Sequence, residues 1–333
     1  MIPILIGLLL AALVGAAATH LFLPAWSSLL GPSRRVINYR GHGVEPSAGL
    51  ALLVSVMVTA VIFSLGGLAG IDGAVAHPVP DARPAGGISL PPPFYGFIFL
   101  LTLAALAGFI DDQLGSRSAR GLKGHLGSLV RGYGVTTGGL KAVALGAGGL
   151  VASASLDPAT PGVLLLHAIV IALSANGFNL LDLRPGRAVK FFLVLAVLPA
   201  LAWSLLGAAS TGETAAFWLA PLAGGAMAYL PRDLGEKAML GDTVSNLLGA
   251  AAGWTAAQLL PVPWELSLLA FLLVIHLVAE KYSLGEIIEK SPFLRAFDSL
   301  GRRGRPASER TAESSVENRH GCETSSNLKD AQP

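Results

Sequence analysis

The sequence predicts an all-α fold: a polytopic integral membrane helical bundle of about nine or ten transmembrane helices, with the amino terminus outside and the carboxyl terminus cytoplasmic. Three observations predict it. Of 333 residues, 53% are hydrophobic and only 13% charged, with mean hydropathy +0.62, whereas a soluble domain carries about 25% charge. Apolar stretches of roughly 20 residues, the length that crosses the hydrocarbon core as a helix, recur nine times. The cations also fall almost entirely on one side once alternate loops are assigned to opposite faces.

In chain order the stretches lie near residues 2–23, 47–70, 93–110, 134–153, 162–181, 188–207, 214–230, 241–260 and 264–281. A short or broken tenth helix fits the 120s or the 280s. The first stretch has no positively charged n-region and no A-x-A-like site before a soluble domain, so it reads as a retained helix and not a signal peptide. Residues 71–92 carry Pro78, Pro80, Pro84 and the run Pro91 to Pro93, which suggests an extended outer strap. One side of the membrane receives 21 Lys and Arg and the other only Arg83, with Lys141 inside a helix. The positive-inside rule then makes the rich side cytoplasmic. The expected location is a multi-pass position in the cell membrane, meaning a bacterial inner or plasma membrane.

Residues 1–283 form the expected transmembrane domain. Residues 284–300 follow as an interfacial amphipathic helix: Ser291 and Pro292 suit N-cap and N1, and Phe293, Leu294, Phe297 and Leu300 recur at helical spacing around Arg295 and Asp298. An ordinary helix packed on a neighbouring loop fits the same pattern. Residues 301–333 are too polar to bury a core and read as a disordered cytoplasmic tail. The single cysteine, Cys322, excludes a disulfide scaffold and a cysteine-based zinc site. The basic residues are scattered over loops and form no stripe, so nucleic acid is not an expected partner.

Carboxylates collect where helices meet the cytoplasm. Asp111 and Asp112 end the third stretch, Asp182 ends the fifth and Asp242 begins the eighth. Adjacent carboxylates repel, and a helix C-terminus disfavours anions, so the pair needs a cation. Mg²⁺ is the economical one, because it takes carboxylate oxygens and shares its shell with substrate phosphates. Arg117, Arg120 and Lys123 follow the pair, and Arg184 and Arg187 follow Asp182, the alternation expected of a diphosphate site. Positive-inside topology alone would also put these cations there. Lys141 lies about 10 Å into the fourth stretch at 1.5 Å per residue, where an ionisable group is a functional candidate unless it snorkels.

The motifs Gly-Phe-Ile-Asp-Asp at 108–112, Gly-Leu-Lys-Gly-His at 121–125, Thr-Thr-Gly-Gly-Leu-Lys at 136–141, Asn176-x-x-Asn179-Leu-Leu-Asp182 and Met-Leu-Gly-Asp-Thr-x-Ser at 239–245 stand in an order that resembles the polyprenyl-phosphate glycosyl-1-phosphate transferases. That family includes phospho-N-acetylmuramoyl-pentapeptide transferase and the N-acetylglucosamine-1-phosphate transferases. Asn38-Tyr39 and residues 46–49 look like its first cytoplasmic loop, and the likeness covers roughly residues 1–300. The resemblance implies Mg²⁺-dependent transfer of sugar 1-phosphate from a UDP-sugar to polyprenyl phosphate, with release of UMP.

Carried over by motif, Asp242 and Asp112 would hold metal. Asp111, Asp112 and Lys141 would be catalytic, and Asn38, Lys123, Asn176, Asn179, Asp182 and Arg184 would bind substrate, with Asn179 and Asp182 at the nucleotide diphosphate. A second copy of the chain is a further candidate partner. Three departures bear on substrate. Asp-Gly-Leu-Asp-Gly is replaced by Asp182-Leu-Arg-Pro185-Gly186, Gly-Asp-x-Gly-Ser by Gly-Asp-Thr-Val-Ser245, and the histidine-rich last loop by residues 280–286 without histidine. A standard muramoyl-pentapeptide substrate is therefore not expected.

Other classes are weighed against this one. A secondary transporter should gather its polar residues at the midplane and not at one interface. A CDP-alcohol phosphotransferase needs later paired Asp residues that are missing here. A catalytically silent relative that binds lipid or protein partners is the main alternative.

Overall fold

The computed structural model describes residues 2–31, 35–37, 43–68, 92–115, 136–206 and 210–302. Among them, nine long helices run in order: α1 Ile2–Leu30, α2 Leu50–Leu68, α3 Pro92–Leu114, α4 Thr137–Ala154, α5 Pro161–Leu181, α6 Arg187–Leu206, α7 Ser210–Leu234, α8 Gly241–Leu259 and α9 Val262–Ala279. Two short ones follow, α10 Leu284–Lys290 and α11 Pro292–Ser299. Two-residue strands β1 Val36–Ile37 and β2 Gly43–Val44 pair antiparallel between α1 and α2, with Val36 opposite Val44. The described residues are thus mostly helical, and each of the nine apolar stretches falls on one long helix. Four helical segments, Leu5–Leu30, Pro93–Leu114, Pro161–Leu181 and Val262–Ala279, are long and apolar enough to cross a membrane. The protein is a helical membrane protein on that evidence.

Helix α8 shows why hydropathy understates the rest. It is flanked by α3, α5, α6 and α7, and Val244, Leu247, Leu248, Ala250, Ala251 and Trp254 are fully buried. A helix wrapped by other helices meets little lipid, so it can carry Asp242, Thr243, Ser245 and Asn246 in one stretch. Its approach to α5 is close because the contact residues are glycines. A Cβ at Gly253 would stand 2.8 Å from the Ile171 Cα, and one at Gly249 would strike the Ser174 carbonyl. Helix α9 is the opposite case: Trp264, Phe271, Leu273, Val274 and Leu277 are exposed, and only Glu265 and Leu272 are buried. An apolar helix with an apolar exterior is at rest only in lipid.

Helix ends differ from the hydropathy boundaries in ways that matter. Helix α3 continues to Leu114, so Asp111 and Asp112 lie in its last turn. Of the two places for an extra helix, the 280s hold α10, while 116–135 lie outside the described residues. The single interfacial helix expected over 284–300 is two helices, broken at Ser291 and Pro292. Proline at 292 has no N–H for the preceding turn, so the chain must restart there. The outer strap up to residue 91 and the tail beyond Arg302 lie outside the described residues.

Candidate active site

Four helix termini meet at one end of the bundle. The last turn of α3 brings Asp111 and Asp112, the first turns of α4 and α8 bring Lys141 and Asp242, and the end of α5 brings Asn179 and Asp182. The approach of α3 to α8 depends on Gly108, where a Cβ would lie 2.6 Å from the Thr243 Cα and closer still to the Asp242 carbonyl.

Lys141 is buried and points inward. Its Nζ donates to Asp111 Oδ2 at 3.0 Å and to Asp242 Oδ2 at 2.5 Å. The amide of Asn179 donates to the same Asp242 oxygen at 3.2 Å, and Ser245 Oγ donates to Asn179 Oδ1 at 3.2 Å. Asn246 Nδ2 donates to the Asp242 carbonyl at 2.6 Å. Asp242 is thus held from three helices, with its side chain still 29% exposed.

The adjacent aspartates divide. Asp111 pairs with Lys141, whereas Asp112 turns to the start of α8. Asp112 Oδ1 accepts the Asp242 N–H at 2.9 Å, and Oδ2 accepts the Thr243 N–H at 3.1 Å, the Thr243 hydroxyl at 2.6 Å and the Ser47 hydroxyl at 2.9 Å. Residue Leu240 at the N-cap of α8 supplies no side-chain acceptor. Asp112 therefore caps α8 from another helix, satisfying orphan N–H groups at the positive end of its dipole. Gly241 stands at φ +72°, and a Cβ there would meet Asp112 Oδ2 at 2.5 Å.

The charge argument for a metal is thereby met inside the protein, by Lys141 for one carboxylate and by the α8 terminus for the other. That corrects the premise that the pair needs a bound ion to form. Among the described residues, no three carboxylate or imidazole groups converge on one metal position. The remaining donors still suit Mg²⁺, which is commonly held by one or two carboxylates with phosphates and waters supplying the rest. Asp242 and Asp111 are partly open at the site. Desolvation of Asp182, together with the charges of Asp233, Asp242 and Asp112, holds its carboxyl well above the ordinary carboxylate range, and a hydrogen bond from the Gly241 backbone offsets this in part.

Other expected residues are arranged differently. Asn176 is half-buried one turn before Asn179 and takes no part in the Lys141–Asp242 network among the described residues. Arg184 pairs with Glu289 of α10 at 3.0 Å on a half-open surface. Arg187, grouped with phosphate-binding cations on sequence, is instead buried against Asp298. Asn38 and Lys123 lie outside the described residues, as do Arg117 and Arg120.

Three contributors escaped the sequence. Ser47 and Thr243 are donors to Asp112, and Asp233 accepts the Gly186 N–H at 2.8 Å, fixing the loop after Asp182. A helix start at Gly241 without a capping side chain was the one available signal for the first two. No protein-family model matches the chain, and no curated protein matches it.

Proposed function

We propose that the chain is a Mg²⁺-dependent phosphoglycosyl transferase of the cell membrane, moving a sugar 1-phosphate from a UDP-sugar, with UDP-N-acetylhexosamine the preferred class, to polyprenyl phosphate at the cytoplasmic face. In this reading all nine long helices span, the amino terminus is outside and the tail is cytoplasmic. The observation that carries it is the convergence of four separated motifs at one end of the bundle: Asp111 and Asp242 on the buried ammonium of Lys141, Asn179 on Asp242, and Asp182 on the Gly241 backbone that precedes Asp242.

In the reaction an oxygen of the lipid phosphate attacks the β-phosphorus of the UDP-sugar, the β-phosphorus to bridging-oxygen bond breaks, and UMP leaves with that electron pair. A phosphate already ionised needs no base, so the protein's task is positioning and charge stabilisation. Lys141 fixes Asp111 and Asp242 in one geometry. Asn179 orients Asp242, and Asp112 holds the turn of α8 on which Asp242 sits. Asp242 would hold Mg²⁺, with Asp111 in place of the expected Asp112, whose two oxygens are taken by the start of α8 and Ser47; the ion's contribution when bound would be neutralisation of phosphate charge. The exposed apolar helices keep this chemistry at the lipid surface.

The test is exchange of labelled UMP into a panel of UDP-sugars by purified protein with polyprenyl phosphate and Mg²⁺. Exchange with one sugar, lost in Asp242→Asn and on chelation, supports the reading. Absence of exchange with every sugar would transfer the chain to the second reading, a silent relative, which the missing histidines of 280–286 and Pro185 favour.

A further inference from the structure

The segment after Asp182 is gripped from two sides. On one side, the Gly186 N–H donates to the buried Asp233 of α7. On the other, α11 is fastened to the first turn of α6 by buried groups. Arg187 makes a two-pronged ion pair with Asp298, Nε to Oδ1 at 2.8 Å and Nη2 to Oδ2 at 3.0 Å, with both residues over nine-tenths buried. Lys190 Nζ donates to three carbonyls at the end of α11, Phe297 at 2.9 Å, Asp298 at 2.6 Å and Leu300 at 3.1 Å. Those are the orphan acceptors at the negative end of a helix, the natural seat of an ammonium.

This is more fastening than an eight-residue helix needs to sit on a membrane. Phe293, Leu294 and Leu300 remain exposed, so its apolar face is left for lipid while its buried polar end is spent on α6. The two cations stand five and eight residues after Asp182, on the far side of a short turn whose Gly186 is at φ +75°. Desolvating an Arg–carboxylate pair and a lysine is expensive, and such pairs stabilise less than apolar replacements would, so their use fits a demand for a unique geometry.

We propose that Arg187, Lys190 and Asp298 are positioning residues: α11 clamps the turn that follows Asp182 and thereby fixes Asp182 for the nucleotide diphosphate. The inference rests on the transferase reading for its substrate, but the clamp itself is independent of it. It also gives residues 284–300, which carry no histidine, a part in the site through the loop they hold.

The experiment compares full-length wild type with Asp298→Ala, Asp298→Asn and the exchanged pair Arg187→Asp with Asp298→Arg. Hydrogen exchange is measured by mass spectrometry in detergent, and UMP exchange kinetics on the same samples. In Asp298→Ala the amides of 183–190 should exchange at least about tenfold faster while α8 is unchanged, and KM for the UDP-sugar should rise about tenfold with kcat within about twofold. Asp298→Asn should be intermediate, and the exchanged pair should recover part of the KM loss. Unaltered exchange in 183–190 would overturn the clamp whether or not the protein is active. Faster exchange there with unaltered KM would overturn the positioning role. A wild type inactive on every UDP-sugar would sink the transferase reading and with it the positioning role, while the amide data would still decide the clamp.

Discussion

Asp112 and Thr243 lie 131 positions apart, yet a single carboxylate oxygen of Asp112 accepts both the backbone N–H and the hydroxyl of Thr243. The bond pair makes the last turn of α3 the N-cap of α8, and it explains how two adjacent aspartates coexist. They never share one environment: Asp111 faces an ammonium and Asp112 faces a helix terminus. Asp242 follows the capped Gly241 turn, so its position is set by Asp112 before any substrate arrives.

Replacing Asp112 should therefore act first on structure. Asp112→Ala removes every acceptor from the α8 start, which costs about 1–2 kcal/mol for a cap of this kind, and frees Ser47 and Thr243. Thermal unfolding in detergent should show a lower midpoint for Asp112→Ala than for Asp242→Asn, although both lose UMP exchange. Equal midpoints would remove the capping role.

Lys141→Met leaves Asp111 and Asp242 close together without their shared cation. Stripping one partner from a buried pair costs about 3–5 kcal/mol, and the lower end applies because Asp242 is partly exposed. Exchange activity should fall at least about 100-fold, with Lys141→Arg restoring stability more than activity, since a planar guanidinium cannot reproduce a point donor. Normal activity in the Met variant would strike Lys141 from the site.

Asp182 gives a prediction in pH. Its carboxyl is held well above the ordinary value of 3.8, so between that value and the raised one the folded state binds the proton that the unfolded state has lost. Stability must then fall as pH rises through that window. Asp182→Asn should remove the slope and raise the melting temperature at neutral pH in metal-free buffer, while abolishing exchange activity. A lower melting temperature at pH 7 in the Asn variant would show that the charged form is stabilised after all.

Much of this was legible in the sequence, and the reasons are physical. Long apolar runs report the helices directly, which is why each long helix among the described residues has its counterpart in hydropathy. The spacing of Asp111, Lys141, Asn179 and Asp242 was visible as motif. What could not be read was which carboxylate faces which partner, because that depends on the rotation of α3 against α8, fixed by contacts between glycines and backbone far apart in sequence. The fate of Arg187 and Lys190 was hidden for the same reason: their partners lie over 100 residues away in α11.

Topology has its own check. Cys322 is the only cysteine, so labelling with a membrane-impermeant maleimide reports one site. The cytoplasmic assignment of the tail requires that labelling occur only in opened cells. Reaction in intact cells would reverse the orientation and move the carboxylate cluster to the outer face.

Gly108 tests whether the site depends on helix approach or only on its side chains. The residue carries no functional group, but α3 and α8 touch there so closely that a Cβ would overlap the Asp242 carbonyl and stand 2.6 Å from the Thr243 Cα. Backbone atoms cannot rotate away as a flexible side chain can, so Gly108→Ala must push the helices apart. Overpacking of this kind costs about 1–3 kcal/mol. The functional loss should be larger, because separating α3 from α8 lengthens both the Asp112 cap and the Lys141 bridge, and a shift of about 1 Å in such a constellation can cost 100-fold in rate. The expected result is a folded, membrane-extractable Gly108→Ala protein with a modestly lowered midpoint and exchange activity reduced by about 100-fold. Full activity would mean that α3 and α8 need not stand this close for Asp111, Lys141 and Asp242 to work together.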